Sequence, residues 1–262
     1  MQKITRPLSI ANLIILILLI GWNYFLNAGE LNGNTVGEVS EKYSNLFTPA
    51  DYAFGIWGLI YLSLFASAIF MVRQAFANPK KSGFIRDAVP PLIVANIANA
   101  TWLWFWLEEE IMVSVFLMVV ILLALLSAVL RLNMERWDAP VRFMAFVWWP
   151  IDLYFGWISV ALIANVAALL VKIDFQPFFS EITWTVIMIV VATIVNLFMI
   201  FSRNMREYAA VAMWAFIAIA VRHWKTLPEV KTAALVATAV LFFATSYHAY
   251  KNRKTLPFAK IK

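Results

Sequence analysis

Eight apolar stretches, each close to the length of one bilayer crossing, decide what this chain can become. They cover roughly residues 8–28, 52–75, 88–107, 111–132, 142–170, 180–202, 207–223 and 232–250. A spanning helix needs about 20 mostly apolar residues. The seventh stretch is short, and the fifth is long enough to require tilt or extension beyond the hydrocarbon. The chain is 63% hydrophobic and 14% charged, whereas a soluble domain carries about 25% charged residues. The expected fold is therefore all-α: a polytopic integral membrane protein of about eight transmembrane helices, with no soluble domain.

The connections separate by charge. If the N-terminus is cytoplasmic, 16 of the 21 Lys and Arg fall inside: Lys3, Arg6, Arg73, Lys80, Lys81, Arg86, Arg131, Arg136, Arg142, Arg203, Arg206, Lys251, Arg253, Lys254, Lys260 and Lys262. Lys42, Lys172, Arg222, Lys225 and Lys231 fall outside, most of them in the connection after the seventh stretch. The asymmetry predicts both termini cytoplasmic, in a cell membrane. The net charge of +6 then reads as a topology signal rather than a nucleic-acid footprint. The first stretch continues through Trp22, Tyr24 and Phe25 to a poor cleavage site at Leu26, Asn27 and Ala28, so it reads as a retained helix. There is no cysteine, which excludes disulfides and thiolate chemistry. The two histidines, His223 and His248, sit at span ends.

The longest connection, about Gly29 to Asp51, is polar and glycine-bearing, and loops of that length are often functional. Thr48 is placed to cap the following helix, with Pro49 in its first turn. No internal repeat emerges, which leaves an inverted-repeat transporter without support.

Three spans carry a pattern of aromatic and amide side chains. In the second, Trp57 and Tyr61 are i, i+4 and share a face, while Gly55 and Gly58 permit close backbone approach. In the third, Asn96, Asn99, Trp102 and Trp106 form one stripe, with Trp104 reading as an interfacial residue. In the fifth, Tyr154, Trp157, Ala161 and Asn165 follow at helical steps. An amide in hydrocarbon needs a partner, so the stripe calls for a helix contact or a ligand. Pro150 is expected to kink the fifth span. Asp152 lies beside it without a charge partner nearby in sequence, a candidate proton or cation site, or else a neutral acid bonded to the backbone that Pro150 frees.

These motifs, in this order, resemble the TspO/translocator family, also called tryptophan-rich sensory proteins. The match rests on Thr48, Pro49, Phe54, Trp57 and Tyr61, on Asn99 and Trp102, and on Tyr154, Trp157, Ala161 and Asn165. It departs at Leu153 and Ala50, where that family usually has proline. The resemblance implies a five-helix bundle over residues 1–170, with residues 171–262 as an added three-helix extension and basic tail. It also implies a pocket lidded by the long first connection that takes tetrapyrroles, sterols or other planar apolar ligands. Trp57, Tyr61, Asn99, Trp102, Tyr154, Trp157, Ala161 and Asn165 would bind the ligand, and no cofactor is required. The physics is compatible: aromatic faces stack on flat ligands, and few polar groups in an apolar pocket fix orientation. The lack of a central histidine argues against conventional haem ligation.

The expected partners are thus a planar apolar small molecule and the lipid bilayer. Ser63/Ser67 and Ala124/Ala128 are spaced for a helix contact or a homodimer seam. Two rival functions stand beside ligand binding or sensing. One is a proton- or cation-coupled transporter using Asp152. The other is a porphyrin-degrading enzyme, poorly supported because no His, Cys or metal cluster falls within the spans and Glu108–Glu110 read as a solvated cap.

Overall fold

A computed structural model describes residues 4–30, 33–175 and 178–253. Lys3, Lys254, Lys260 and Lys262 lie outside the described residues. Among those residues all regular structure is helical, and seven helices are long and apolar enough to cross a membrane. They are α1 (Thr5–Phe25), α3 (Ile56–Ala77), α4 (Ile85–Leu107), α5 (Ile111–Arg131), α6 (Val141–Lys172), α7 (Glu181–Arg203) and α9 (Pro228–Lys251). The short α2 (Val36–Lys42) sits in the first connection. The remaining helix, α8 (Arg206–Arg222), has 17 residues, about 25 Å at the α-helical rise. It still traverses the bundle. Its N-terminal end follows Asn204, which donates a hydrogen bond to Glu135 in the α5–α6 connection, and its last residue, Arg222, pairs with Glu41 of α2. Both described chain ends lie at the Glu135 end. Arg6 Nε reaches the carbonyl of Ala75, and His248 shares a cavity with Glu135.

The packing has two parts. Helix α1 lies against α3 and α4, α4 pairs with α5, and α6 closes against α3 and α5. Helix α8 then packs on α6 and carries α7 and α9, which also touch each other. The α6–α8 contact has one decisive residue. A Cβ on Gly156 would meet the carbonyl oxygen of Tyr208 at 2.9 Å and the Val211 Cβ at 3.0 Å. Gly55 and Gly58, expected to allow close approach, have nothing within 4 Å of where a Cβ would stand. They precede or open α3, away from any crossing backbone.

At Pro150, where a kink is expected, the helix changes its winding. The proline ring cannot coexist with an α-helical carbonyl four residues back, and the chain widens into a π-helical turn at Met144–Trp148 just before it. Thr48 departs from expectation. Its hydroxyl accepts from the Asn45 amide at 3.0 Å, closing a turn, and the chain enters α3 through a 3-10 turn, Asp51–Gly55, without a side-chain cap. The outer face of the bundle is apolar. Leu18, Leu62, Met112, Phe116, Phe198 and Phe243 are each at least 65% exposed. Such a surface belongs against acyl chains rather than water, and the protein is an integral multi-pass membrane protein.

Candidate functional site

Helices α3, α4 and α6 bring their aromatic stripes together as a stack. Trp57 lies against Tyr61 (ring centroids 5.4 Å, planes 24° apart) and against Trp102 (6.1 Å, 28°). Trp102 in turn stacks on Trp106 at 5.9 Å. From α6, Tyr154 and Trp157 meet the Trp57 ring edge-on at 6.1 and 6.4 Å. The i, i+4 steps of α3 and α4 put successive rings one turn apart, which is stacking distance.

Above this stack is a cavity of about 40 Å³. Trp57, Trp102, Trp106, Trp157, Ala161 and Asn165 are in its wall, and Val36, Tyr43 and Thr48 of the first connection roof it. Tyr61, Asn99 and Tyr154 lie outside that wall, deeper in the bundle. Asn99 donates to the Tyr61 hydroxyl at 3.4 Å, Asn23 of α1 donates to the same oxygen at 2.9 Å, and the Tyr154 hydroxyl donates to the Ala95 carbonyl at 3.4 Å. Of the proposed ligand residues, five surround the cavity and three form a polar layer beneath. Trp22 and Trp104 belong to neither. They stack on each other at 5.8 Å across α1 and α4, and the Trp22 indole N–H donates to the Ala100 carbonyl.

Polar groups in the cavity wall differ in what they have left to offer. The Asn165 carboxamide accepts from the Trp102 indole at 2.9 Å and donates to the Ser114 hydroxyl at 2.9 Å. Both halves of that amide are engaged. Trp157 is buried, and its indole N–H has no hydrogen-bond partner. It is a fully buried donor in the wall that a guest could engage.

The roof is fastened by polar contacts at its rim. Lys42 pairs with Glu109 in the α4–α5 turn at 2.7 Å, and the Tyr43 hydroxyl donates to the same carboxylate at 2.6 Å. Those two bonds, Lys42 first, hold the Glu109 carboxyl below its ordinary value of 4.5. The bond to Glu109 pushes the Tyr43 phenol up to about 12. Lys172 also reaches the Glu109 carbonyl. On the other side, Arg222 binds Glu41 at 2.7 Å, the His223 ring donates to the Leu46 carbonyl at 2.9 Å, and the Ala50 amide donates to the Ala218 carbonyl. Trp106 joins roof to wall through the Val36 carbonyl at 3.2 Å. Sequence reasoning missed α2 itself, although Thr35-x-x-Glu38 is a capping box and forms one here.

Asp152 lies at the other end of α6. It is fully buried, and neither carboxylate oxygen has a hydrogen-bond partner. The backbone near Pro150 therefore does not engage it. Its neighbours are two further acids, Glu135 and Glu207, with one oxygen from each of the three lying within 4.8 Å of the others.

A match to the TSPO-like protein family spans residues 9–247, from α1 into α9. The chain belongs to the TSPO-like protein family. No curated protein and no solved structure matches it. The TSPO-like match runs through α7, α8 and α9 as well as through the aromatic crossings.

Proposed function

We propose that this TSPO-like protein binds a planar apolar ligand, tetrapyrrole-like or sterol-like, between α3, α4 and α6 under the first connection, and serves in sensing or regulation. The observation that carries this reading is the aromatic wall of Trp57, Trp102 and Trp157 beneath a polar-fastened roof, with the Trp157 indole N–H unspent. Stacked indoles offer the flat faces that such a ligand buries.

The cavity of about 40 Å³ is far below the roughly 300 Å³ or more that a drug-sized guest occupies. Binding therefore requires an opened form, in which the first connection lifts and the guest replaces ring–ring contacts with ring–ligand contacts. The roof suits that motion, because its ion pairs are solvent-facing and individually weak. The excess of Lys and Arg at the Glu135 end supports an orientation with both termini cytoplasmic. The roof then faces the opposite compartment.

The test is a titration of the purified protein in detergent with protoporphyrin, read by tryptophan quenching. Trp57→Ala and Trp157→Ala should each weaken binding about tenfold or more, the loss of a large stacking face. Affinity unchanged in both variants removes the site.

A further inference from the structure

We propose that Glu135, Asp152 and Glu207 bind a hard divalent cation at the end of the bundle remote from the aromatic cavity. The three come from separate elements: Glu135 from the α5–α6 connection, Asp152 from α6 just after the π-helical turn, and Glu207 from the first turn of α8. One oxygen from each lies within 4.8 Å of the other two. That spacing is what oxygen ligands adopt around an ion bonded at about 2.3–2.6 Å.

Asp152 supplies the second observation. Its side chain is fully buried in the middle of this group, with both oxygens unpartnered. Among the described residues neither it nor Glu207 forms an ion pair, and Glu207 Oε2 is also a buried acceptor without a donor. A buried carboxylate is tolerated when it is paired or coordinates a metal, and Asp152, unpartnered and facing two further acids, has the surroundings of a cation ligand. Carboxylate oxygens with no thiolate and no imidazole among them select a hard ion.

Access and positioning are both provided. Glu135 is also in the wall of a polar cavity of about 320 Å³, which Arg203, Asn204, Arg206 and His248 help to line. The ion thus reaches the acids from the terminal face of the bundle. The Asn204 carboxamide donates to Glu135 Oε2 at 3.2 Å and fixes one ligand. The arginines balance the negative charge that three carboxylates leave over after a divalent ion is bound. A bound cation would tie α6 to α8 and to the α5–α6 connection, the same junction that Gly156 brings into backbone contact.

The experiment uses the full chain in detergent, stripped with chelator and then titrated with Ca²⁺ or Mn²⁺. Melting temperature should rise by about 5 °C or more at a hundredfold excess over Kd. The rise should vanish in Asp152→Asn and Glu207→Gln and persist in Glu109→Gln, which alters an acid at the other end. As a direct readout, Tb³⁺ should show tryptophan-sensitised emission, with Trp148 in the adjoining cavity wall, and Ca²⁺ should displace it. The wild-type emission stands as a test even if a variant fails to fold. No thermal shift with either ion, no sensitised emission, or a shift that survives in both variants overturns the proposal. A protein stabilised only by acid and indifferent to these ions also overturns it. Porphyrin quenching is read separately, so neither result decides the other.

Discussion

Gly156 of α6 faces the carbonyl oxygen of Tyr208 on α8 with room for a hydrogen but not for a methyl group. A Cβ there would stand 2.9 Å from that oxygen. The obstacle is backbone, which cannot rotate away as a side chain can. Gly156→Ala should therefore force α6 and α8 apart and destabilise the protein by about 1–3 kcal/mol. Gly58→Ala should be neutral, or stabilise by up to about 1 kcal/mol, because nothing lies within 4 Å and alanine is the better helix former. Thermal unfolding of both variants in one detergent checks the pair. Equal melting temperatures would mean that the α6–α8 contact is looser than described.

Asn165 and Trp102 give the second prediction. Asn165→Leu keeps the volume near that of the amide but strands the buried Trp102 indole N–H and removes the donor to the Ser114 hydroxyl, which keeps its own bond to the Ile111 carbonyl. Each buried group left unmatched costs about 1–3 kcal/mol. The variant should lose at least that much stability, and Ser114→Ala should recover part of it in the double variant. Additive losses in that cycle would show that the two residues are not coupled.

These two cases also mark how far the sequence was readable. The crossings were legible because hydrocarbon thickness imposes a length that any sequence must display. The stripes Trp57/Tyr61, Asn99/Trp102 and Tyr154/Trp157 were legible because helical steps are fixed, whereas their meeting in one place was what the family resemblance implied. Which glycine meets a neighbouring backbone was not, since that depends on the partner helix and not on the span itself. Gly55 and Gly58 read as well as Gly156. Asn99 announced that it needs a partner but not that the partner is the hydroxyl of Tyr61, one layer below the cavity. Asp152 looked solitary because Glu135 and Glu207 are remote in the chain and meet it only after α6 and α8 pack.

The roof should respond to pH through Glu109. Its carboxyl is held below 4.5 by Lys42 and Tyr43, so the charged form contributes stability that is fully present above the ordinary glutamate value. That contribution fades as pH falls through the lowered value. Tyr43 sets the other limit. Its phenol is raised from 10 to about 12, so its bond is intact below pH 10 and is lost between 10 and about 12. Both groups are near the surface, where such pairs are worth about 0.2–1 kcal/mol. The association rate of protoporphyrin should accordingly rise a few-fold below about pH 4.5, with no change across neutrality. Glu109→Gln should show the faster rate already at pH 7. A variant that associates no faster than wild type would show that the roof is not the barrier.

Asp152→Asn separates a structural acid from a ligand. The amide matches the carboxyl in shape and takes away one of three ionisable groups crowded at the α6–α8 junction. In chelator the buried acid must either ionise beside two like groups or take up a proton on folding, and the amide avoids both, so the variant should be more stable than wild type by about 1–3 kcal/mol. In saturating Ca²⁺ the order should reverse, because only wild type gains the binding energy. The crossing of the two stability curves with ion concentration is the informative readout. A purely structural Asp152 would leave the amide variant on one side of wild type at every Ca²⁺ concentration. Glu135→Gln should cross in the same way at higher Ca²⁺, since the ion would keep Asp152 and Glu207 as ligands.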